Sequence, residues 1–465
     1  MKRILFILTI LAILSVALHA QKQLPPEGGT PKDFTLPQKN TIILKNGIEA
    51  ILVPYGTMPK VTISVVVRVG NINEKENQTW LVDLTGNLMK EGTTTRSAEQ
   101  IAEEASSMGG TVNVFTSVDQ TTIGGDVLSE FGPKMVALLA DVTRNPLLPE
   151  SELPRLKNDM LRQLTVAKSS PQQLTFEQFR KTIYGDHPYG RVFPTDEMVK
   201  NYTIADVKKF YTENFGAART RIYVAGKFDM KEMEKAIRAS FDSWKKGPAP
   251  FVNIPKTTAK KSFHLVERPG APQSTIYLGL PTTINPTSKE YVKMVVTNTL
   301  LGGYFSSRIT SNIREQKGYT YSPSSQISSR YHDTYYVQTA DVTTDVTGAA
   351  LKEILYEINR LQDEPPSADE LKGVQNYLAG TFVLQNSSRQ GIINQLAFTR
   401  LQGIGDEYLT NYVKNVHAVT PVDVQQITKN QLRDEDMTLI ITGDKAKVEK
   451  QIEEYAKSVE IEKKK

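Results

Sequence analysis

The chain contains no cysteine. Disulfides, a thiol nucleophile and a lipid-carrying N-terminal cysteine are therefore excluded. Histidine is almost as scarce, with five in 465 residues. They stand at 19, 187, 264, 332 and 417, and no two are spaced as neighbours on a helix face. A catalytic zinc site needs three protein ligands, so each lone imidazole reads as a packed or surface residue. His187-Pro188-Tyr189-Gly190, after Tyr184-Gly185, reads as a structural turn. No G-x-S-x-G elbow occurs, and no glycine-rich loop ends in a phosphate-binding lysine. Charge of one sign is also lacking: 56 Lys and Arg face 51 Asp and Glu. That excess is too small to argue for nucleic acid or an anionic membrane as partner.

Long apolar runs are limited to residues 4–18, which follow Lys2 and Arg3. This stretch falls short of the roughly 20 residues needed to cross a bilayer. With small residues between Ala17 and Ala20 and a polar start at Gln21, residues 1–20 read as a secretory signal peptide. The mature chain then carries no membrane span. An exported fold without cysteine suits the bacterial periplasm, and that is the expected location. A hydrophobic content of 39% describes a globular protein too long for one core.

Residues 21–36 are rich in Pro and Gly and read as an extended leader. Segments 41–45 and 48–54 flank Asn46-Gly47, which predicts a two-residue hairpin. Residues 61–69 are nearly all β-branched and predict a buried strand. Residues 80–90, 97–108, 134–142, 150–168 and 203–214 predict helices, with Ser97 capping the second and Gly109-Gly110 ending it. Residues 110–128 alternate and predict two strands.

Residues 245–261 are basic, carry prolines and show no core-facing period. The chain beyond this segment repeats the pattern of the chain before it. Arg221-Ile-Tyr-Val-Ala-Gly226 before a helix returns 217 residues later as Thr438-Leu-Ile-Ile-Thr-Gly443 before a helix. Glu152-Leu153 after a proline-bounded loop returns as Glu370-Leu371. Two copies of one α+β unit are expected: an N-terminal domain over 37–247, a linker over 248–261 and a C-terminal domain over 262–460.

The segment from Trp80 to Thr93 has the frame of an inverted zinc-binding helix, H-x-x-E-H, but carries Asp83, Gly86 and Asn87 at its three chemical positions. Around it stand Gly92-Thr93-Thr94-Thr95-Arg96-Ser97, Gly109-Gly110-Thr-Val-Asn113-Val-Phe-Thr116-Ser-Val-Asp119-Gln-Thr121, Leu301-Gly302-Gly303-Tyr304-Phe-Ser306-Ser307-Arg308 and Arg314-Glu-Gln-Lys-Gly318-Tyr319-Thr320-Tyr321. In this order, from about residue 36 to 460, the chain resembles the pitrilysin/insulinase-type metallopeptidases, or inverzincins. It is most similar to the non-catalytic subunits of the mitochondrial processing peptidase type. The resemblance implies two homologous domains, each a mostly antiparallel sheet covered by helices, together forming half of a clamshell.

The same resemblance places the third zinc ligand at 163, where this chain has Gln163. All three ligands and the general base are thus replaced, and one carboxylate with neutral amides is a poor zinc site. No metal or other cofactor is expected in this chain, and no peptidase activity from it alone. In the family, an arginine and a tyrosine from the second domain reach the peptide carbonyl beside the zinc of the opposite half. Arg314 and Tyr321 have that spacing, with Tyr319 as the alternative. Gly302, Gly303 and Tyr304 fall where related non-catalytic subunits touch substrate. The edge over 110–121 is the family's peptide-binding strand, expected here to be structural.

The resulting expectation is a catalytically silent subunit of a heteromeric zinc metallopeptidase. A zinc-bearing inverzincin partner would supply the metal, and an unfolded peptide would be the substrate. The alternative is a structural or peptide-binding homo-oligomer with no catalytic partner.

Overall fold

The structure, a computed structural model, describes residues 34–462; the expected signal peptide and residues 21–33 of the leader lie outside them. Eleven strands occur among the described residues: β1 (Asn40–Ile43), β2 (Glu49–Pro54), β3 (Lys60–Val67), β4 (Asn113–Thr116), β5 (Thr121–Leu128), β6 (Thr220–Gly226), β7 (Ser262–Glu267), β8 (Gln273–Thr282), β9 (Ser324–Arg330), β10 (Asp333–Thr343) and β11 (Thr438–Gly443). They form two sheets, ordered β1-β2-β6-β3-β5-β4 and β7-β11-β8-β10-β9. Apart from the extra β1, the two orders are the same. Each has one parallel pairing, β2 with β6 and β7 with β11, and is otherwise antiparallel.

The helices of the first half are α1 (Leu81–Met89), α2 (Ala98–Ser107), α3 (Gly132–Arg144), α4 (Leu153–Ser169), α5 (Pro171–Tyr184), α6 (Asp196–Asn201), α7 (Ile204–Asn214) and α8 (Met230–Phe241). Those of the second half are α9 (Tyr291–Asn298), α10 (Thr347–Asp363), α11 (Ala368–Gln385), α12 (Arg389–Gln402), α13 (Tyr412–His417), α14 (Pro421–Gln431), α15 (Lys445–Gln451) and α16 (Glu453–Glu462). Between α8 and β7, residues 248–261 carry no helix or strand. No helix among the described residues is long and apolar enough to cross a membrane.

Local chemistry accounts for several boundaries. Ser97 accepts the Gln100 N–H at 3.2 Å while Gln100 Oε1 accepts the Ser97 N–H at 2.9 Å, a capping box that starts α2. The first hairpin departs from expectation. Leu44 N–H bonds Ile48 O at 2.9 Å and Gly47 N–H bonds Leu44 O at 3.0 Å, leaving the three-residue loop Lys45–Asn46–Gly47 with Gly47 at φ +92°. The loop is set by tertiary contact, because the Asn46 amide donates to Phe241 O and Trp244 O.

Strand β3 is buried along nearly its whole length rather than on alternate residues. One face lies under α3 and the other under α12, which arrives from the second half of the chain. The exchange is reciprocal, since α5 of the first half packs on β8 and β11 of the second sheet. Phe179 of α5 is fully buried there against Tyr335, with ring centroids 5.5 Å apart, and Thr175 bonds Thr442 at 2.6 Å. In return, Arg389 at the start of α12 bonds Thr62 and Asp126 at 3.1 Å each, and Arg400 bonds Glu49 at 3.2 Å. Each sheet therefore depends on a helix lent by the other half. Burying one such aromatic side chain stabilises by about 1.5–3 kcal/mol.

Candidate functional site

Helix α1 carries the altered zinc frame. Leu81, Val82, Leu84, Leu88 and Met89 bury one broad face and fix the helix in the first core. Asp83 and Asn87, one turn apart, stay half-buried on the side facing β4. Both Asp83 oxygens are engaged: Oδ1 accepts the Thr116 hydroxyl, and Oδ2 accepts the Asn71 amide at 3.0 Å. At Gly86 a Cβ would lie 2.9 Å from the Thr116 methyl and 3.3 Å from Val114 Cγ1. A side chain at the position of the family's general base has no room unless the Thr116 side chain gives way.

Sequence reading overlooked Glu74. It is buried just ahead of α1, accepts the Val82 N–H at 2.8 Å and shares the Asn71 amide with Asp83 at 3.3 Å. Burial, and then the nearby Asp83 charge, push its carboxyl well above the ordinary glutamate range. Nothing in the local pattern marks it, because its partners come from the fold.

Gln163 is exposed on α4, which packs on α1. It lines an open groove of about 1050 Å³ with Trp80, Arg162, Val166, Gln173 and Phe193. No hydrogen bond joins Gln163 to Asp83 or Asn87 among the described residues. The residues do not fit zinc: the one carboxylate on the helix is saturated, the other positions are a glycine and two amides, and imidazole is absent. Among the described residues no group of three His, Cys, Asp or Glu could hold a metal.

The second domain presents a different surface. After α9 the chain makes two π-helical turns, Thr299–Gly303 and Ser311–Gln316. Such widened turns frequently stand at functional sites. Arg314 on the second turn lays its guanidinium 4.4 Å from the centre of the Phe305 ring and has Glu315 at 3.4 Å. Gly318, at φ +65°, turns the chain out of this helix, and Tyr319 N–H closes it onto Ile313 O at 2.8 Å. Tyr319 is consequently half-buried against the second core. Tyr321 lies in the loop before β9 and is 89% exposed. Among the described residues no hydrogen bond or cation–π contact joins Arg314 to Tyr321.

Gly302 and Gly303 have internal reasons to lack side chains. A Cβ on Gly302 would meet Gln338 Oε1 at 2.5 Å, and one on Gly303 would meet Asn298 Nδ2 at 2.8 Å. Tyr304 tilts against Tyr377, with centroids 5.1 Å apart, and burial raises its hydroxyl pKa, helped by Glu370. His187, as a turn residue, accepts the Tyr189 N–H at 3.2 Å and places its other nitrogen 3.1 Å from Asn253 O.

The fold and the altered helix together define a metallopeptidase scaffold of the clamshell type. Residues 51–195 match the family model described as insulinase (peptidase family M16), and residues 201–378 match the peptidase M16 inactive domain. The chain belongs to peptidase family M16. It is 26% identical over 396 residues to an "uncharacterized zinc protease" of Rickettsia bellii, covering 84% of this chain and 91% of that one. A further zinc protease described as uncharacterized, YmxG of Bacillus subtilis, is 25% identical, covering 85% and 96%. Among solved structures, the peptidase M16 inactive domain from Pseudomonas fluorescens superposes with a TM-score of 0.80 at 22% identity, covering 87% of this chain and 98% of that chain. The periplasmic protease PqqL of Escherichia coli gives 0.75 at 17% identity, covering 90% and 47%.

Proposed function

We propose that this chain is a non-catalytic subunit of a heteromeric zinc metallopeptidase. A partner with an intact H-x-x-E-H helix supplies zinc, general base and peptide-binding edge. This chain closes the chamber and lends Arg314 and Tyr321, with Tyr319 as the alternative phenol. A guanidinium gives a fixed fork of donors to a peptide carbonyl, and a phenol hydroxyl placed at a developing oxyanion stabilises the transition state. The substrate is an unfolded peptide able to enter the chamber, and the setting is the periplasm, reached by removal of residues 1–20.

The observation carrying this reading is the contrast between the two halves. The space beside α1 is filled by Thr116, whereas Tyr321 stands 89% exposed with no partner for its hydroxyl among the described residues. Arg314 likewise rests on exposed Phe305 rather than in a buried ion pair.

Co-expression with the M16 chain encoded nearest to it, followed by size-exclusion chromatography and zinc analysis, tests the assembly. A stable heteromer with zinc in the partner only supports the proposal. A homo-oligomer indifferent to any zinc-bearing chain would favour the structural alternative.

A further inference from the structure

Arg308 and Arg314 stand close together in the sequence and are held in opposite ways. The Arg308 side chain is 8% exposed and forks onto Glu370, Nε to Oε1 at 2.7 Å and Nη2 to Oε2 at 2.8 Å. That fork commits its donors to the fold. The Arg314 side chain is 29% exposed and makes no such fork. Its guanidinium carbon lies over the Phe305 ring, 4.4 Å from the centre. Among the described residues its one carboxylate partner is its chain neighbour Glu315, a single surface contact at 3.4 Å.

The two modes leave different groups free. A guanidinium carries its five donors in its own plane. A carboxylate fork occupies that edge, whereas an aromatic ring attracts the cation through its face. Stacking on Phe305 therefore restrains a long, flexible side chain and leaves its N–H edge open to an acceptor. Phe305 is itself 65% exposed, so the pair lies at the surface, where a peptide can reach that edge.

Both residues are presented by anchored backbone. The π-helical turn Ser311–Gln316 is tied to α10 through the buried Asn312, whose amide donates to Glu353 Oε2 at 3.0 Å and Glu357 Oε1 at 2.9 Å. Lys317 adds a pair with Glu353 at 3.4 Å. On the other side, Tyr304 leans on Tyr377, Ser307 N–H bonds Tyr304 O at 3.1 Å, and the Ser307 hydroxyl bonds the Thr310 hydroxyl at 2.9 Å. Ring and guanidinium thus meet from two fixed supports. We infer that Phe305 is a positioning residue: its ring holds the face of Arg314 and keeps the N–H edge free for a peptide carbonyl. This rests on the proposed reading of Arg314 as a donor at a partner's zinc site.

The test combines a spectroscopic and a kinetic readout. In the full mature chain, isotope-labelled arginine NMR should show the Arg314 Nε–H resonance, assigned with Arg314→Lys, moved upfield by the ring. Phe305→Leu should return it to the position of a solvated arginine, and Phe305→Tyr, which keeps the ring, should not. In the zinc-bearing heteromer, Phe305→Leu should lower kcat by about two- to fivefold at unchanged KM, with Phe305→Tyr restoring the parent value. The inference is overturned by an unmoved Arg314 resonance in Phe305→Leu, by equal kcat of that variant and the parent, or by a rise in KM alone, which would make Phe305 a substrate contact. Arg314→Ala measured in parallel separates the two levels. Loss of kcat with Arg314→Ala but not with Phe305→Leu overturns this inference alone, and unchanged kcat with Arg314→Ala overturns it together with the reading beneath it.

Discussion

Thr116 and Asp83 are hydrogen-bonded across the gap between β4 and α1, and the Thr116 methyl stands 2.9 Å from where a side chain on Gly86 would begin. Thr116 therefore holds one oxygen of the remaining carboxylate, Asn71 holds the other, and the Thr116 methyl fills the space of the missing base. The altered zinc helix is a packed interface.

Restoring the family's residues should consequently fail. The combined Asp83→His, Gly86→Glu, Asn87→His and Gln163→Glu chain is expected to purify without stoichiometric zinc and to cleave no fluorogenic peptide. Gly86→Glu alone should destabilise by about 1–3 kcal/mol in denaturant unfolding, the usual cost of overpacking. Thr116→Gly in the same chain should recover part of that loss. Full stability of Gly86→Glu on its own would show that Thr116 and Val114 give way at little cost.

Glu74 gives a pH signature. Its folded pKa is raised by burial and by Asp83, so the stability it contributes is fully present below the ordinary glutamate value of 4.5. That contribution is lost as pH rises from there through the folded value, where the buried group must ionise. Glu74→Gln should therefore gain stability relative to the parent as pH rises above 4.5, with the difference vanishing below it. Paired urea titrations across pH would show this; a difference independent of pH would contradict it.

The exchanged helices should hold the two halves as one cooperative unit. Phe179→Ala opens a cavity between α5 and the second sheet and should cost about 3–5 kcal/mol. The readout is hydrogen exchange: protection should fall in β8 and β11, far along the sequence from the substitution. Loss confined to α5 would mean that the exchange contributes little to cohesion.

Gly302→Ala should lower the melting temperature, because its Cβ would press on Gln338 Oε1 and Ser325 Oγ at 2.5 and 2.7 Å. The family resemblance alone assigns Gly302 and Gly303 to substrate contact. A change in peptide affinity with unchanged thermal stability would support that role, and a drop in stability with unchanged affinity would support packing.

Much of the fold is legible in the sequence because it rests on local pattern. The capping box at Ser97 and Gln100, the β-branched run of β3 and the recurrence of Arg221–Gly226 at Thr438–Gly443 all announce themselves within short windows. The repeat is enough to anticipate two like sheets, and their strand orders agree. The features that stay hidden are held by distant partners. The hairpin at Asn46 takes its loop length from Phe241 O and Trp244 O, the crossings of α5 and α12 need both sheets in place, and Glu74 gains its burial from α1. The exposure of Tyr321 against the half-burial of Tyr319 depends on Gly318 turning the chain, which the alternation of Tyr319, Thr320 and Tyr321 does not decide.

The proposed role in catalysis rests on Arg314 and Tyr321 acting beside a partner's zinc. The direct measurement is kcat for a quenched-fluorescent peptide in the assembled heteromer, with Arg314→Ala and Tyr321→Phe made in this chain and assembly checked by size-exclusion chromatography. Removing one oxyanion donor lowers kcat by about 10²–10³-fold, and losses of this order are expected with the complex and its zinc intact. Unchanged kcat and KM in both variants would contradict it and leave this chain as a wall of the chamber alone.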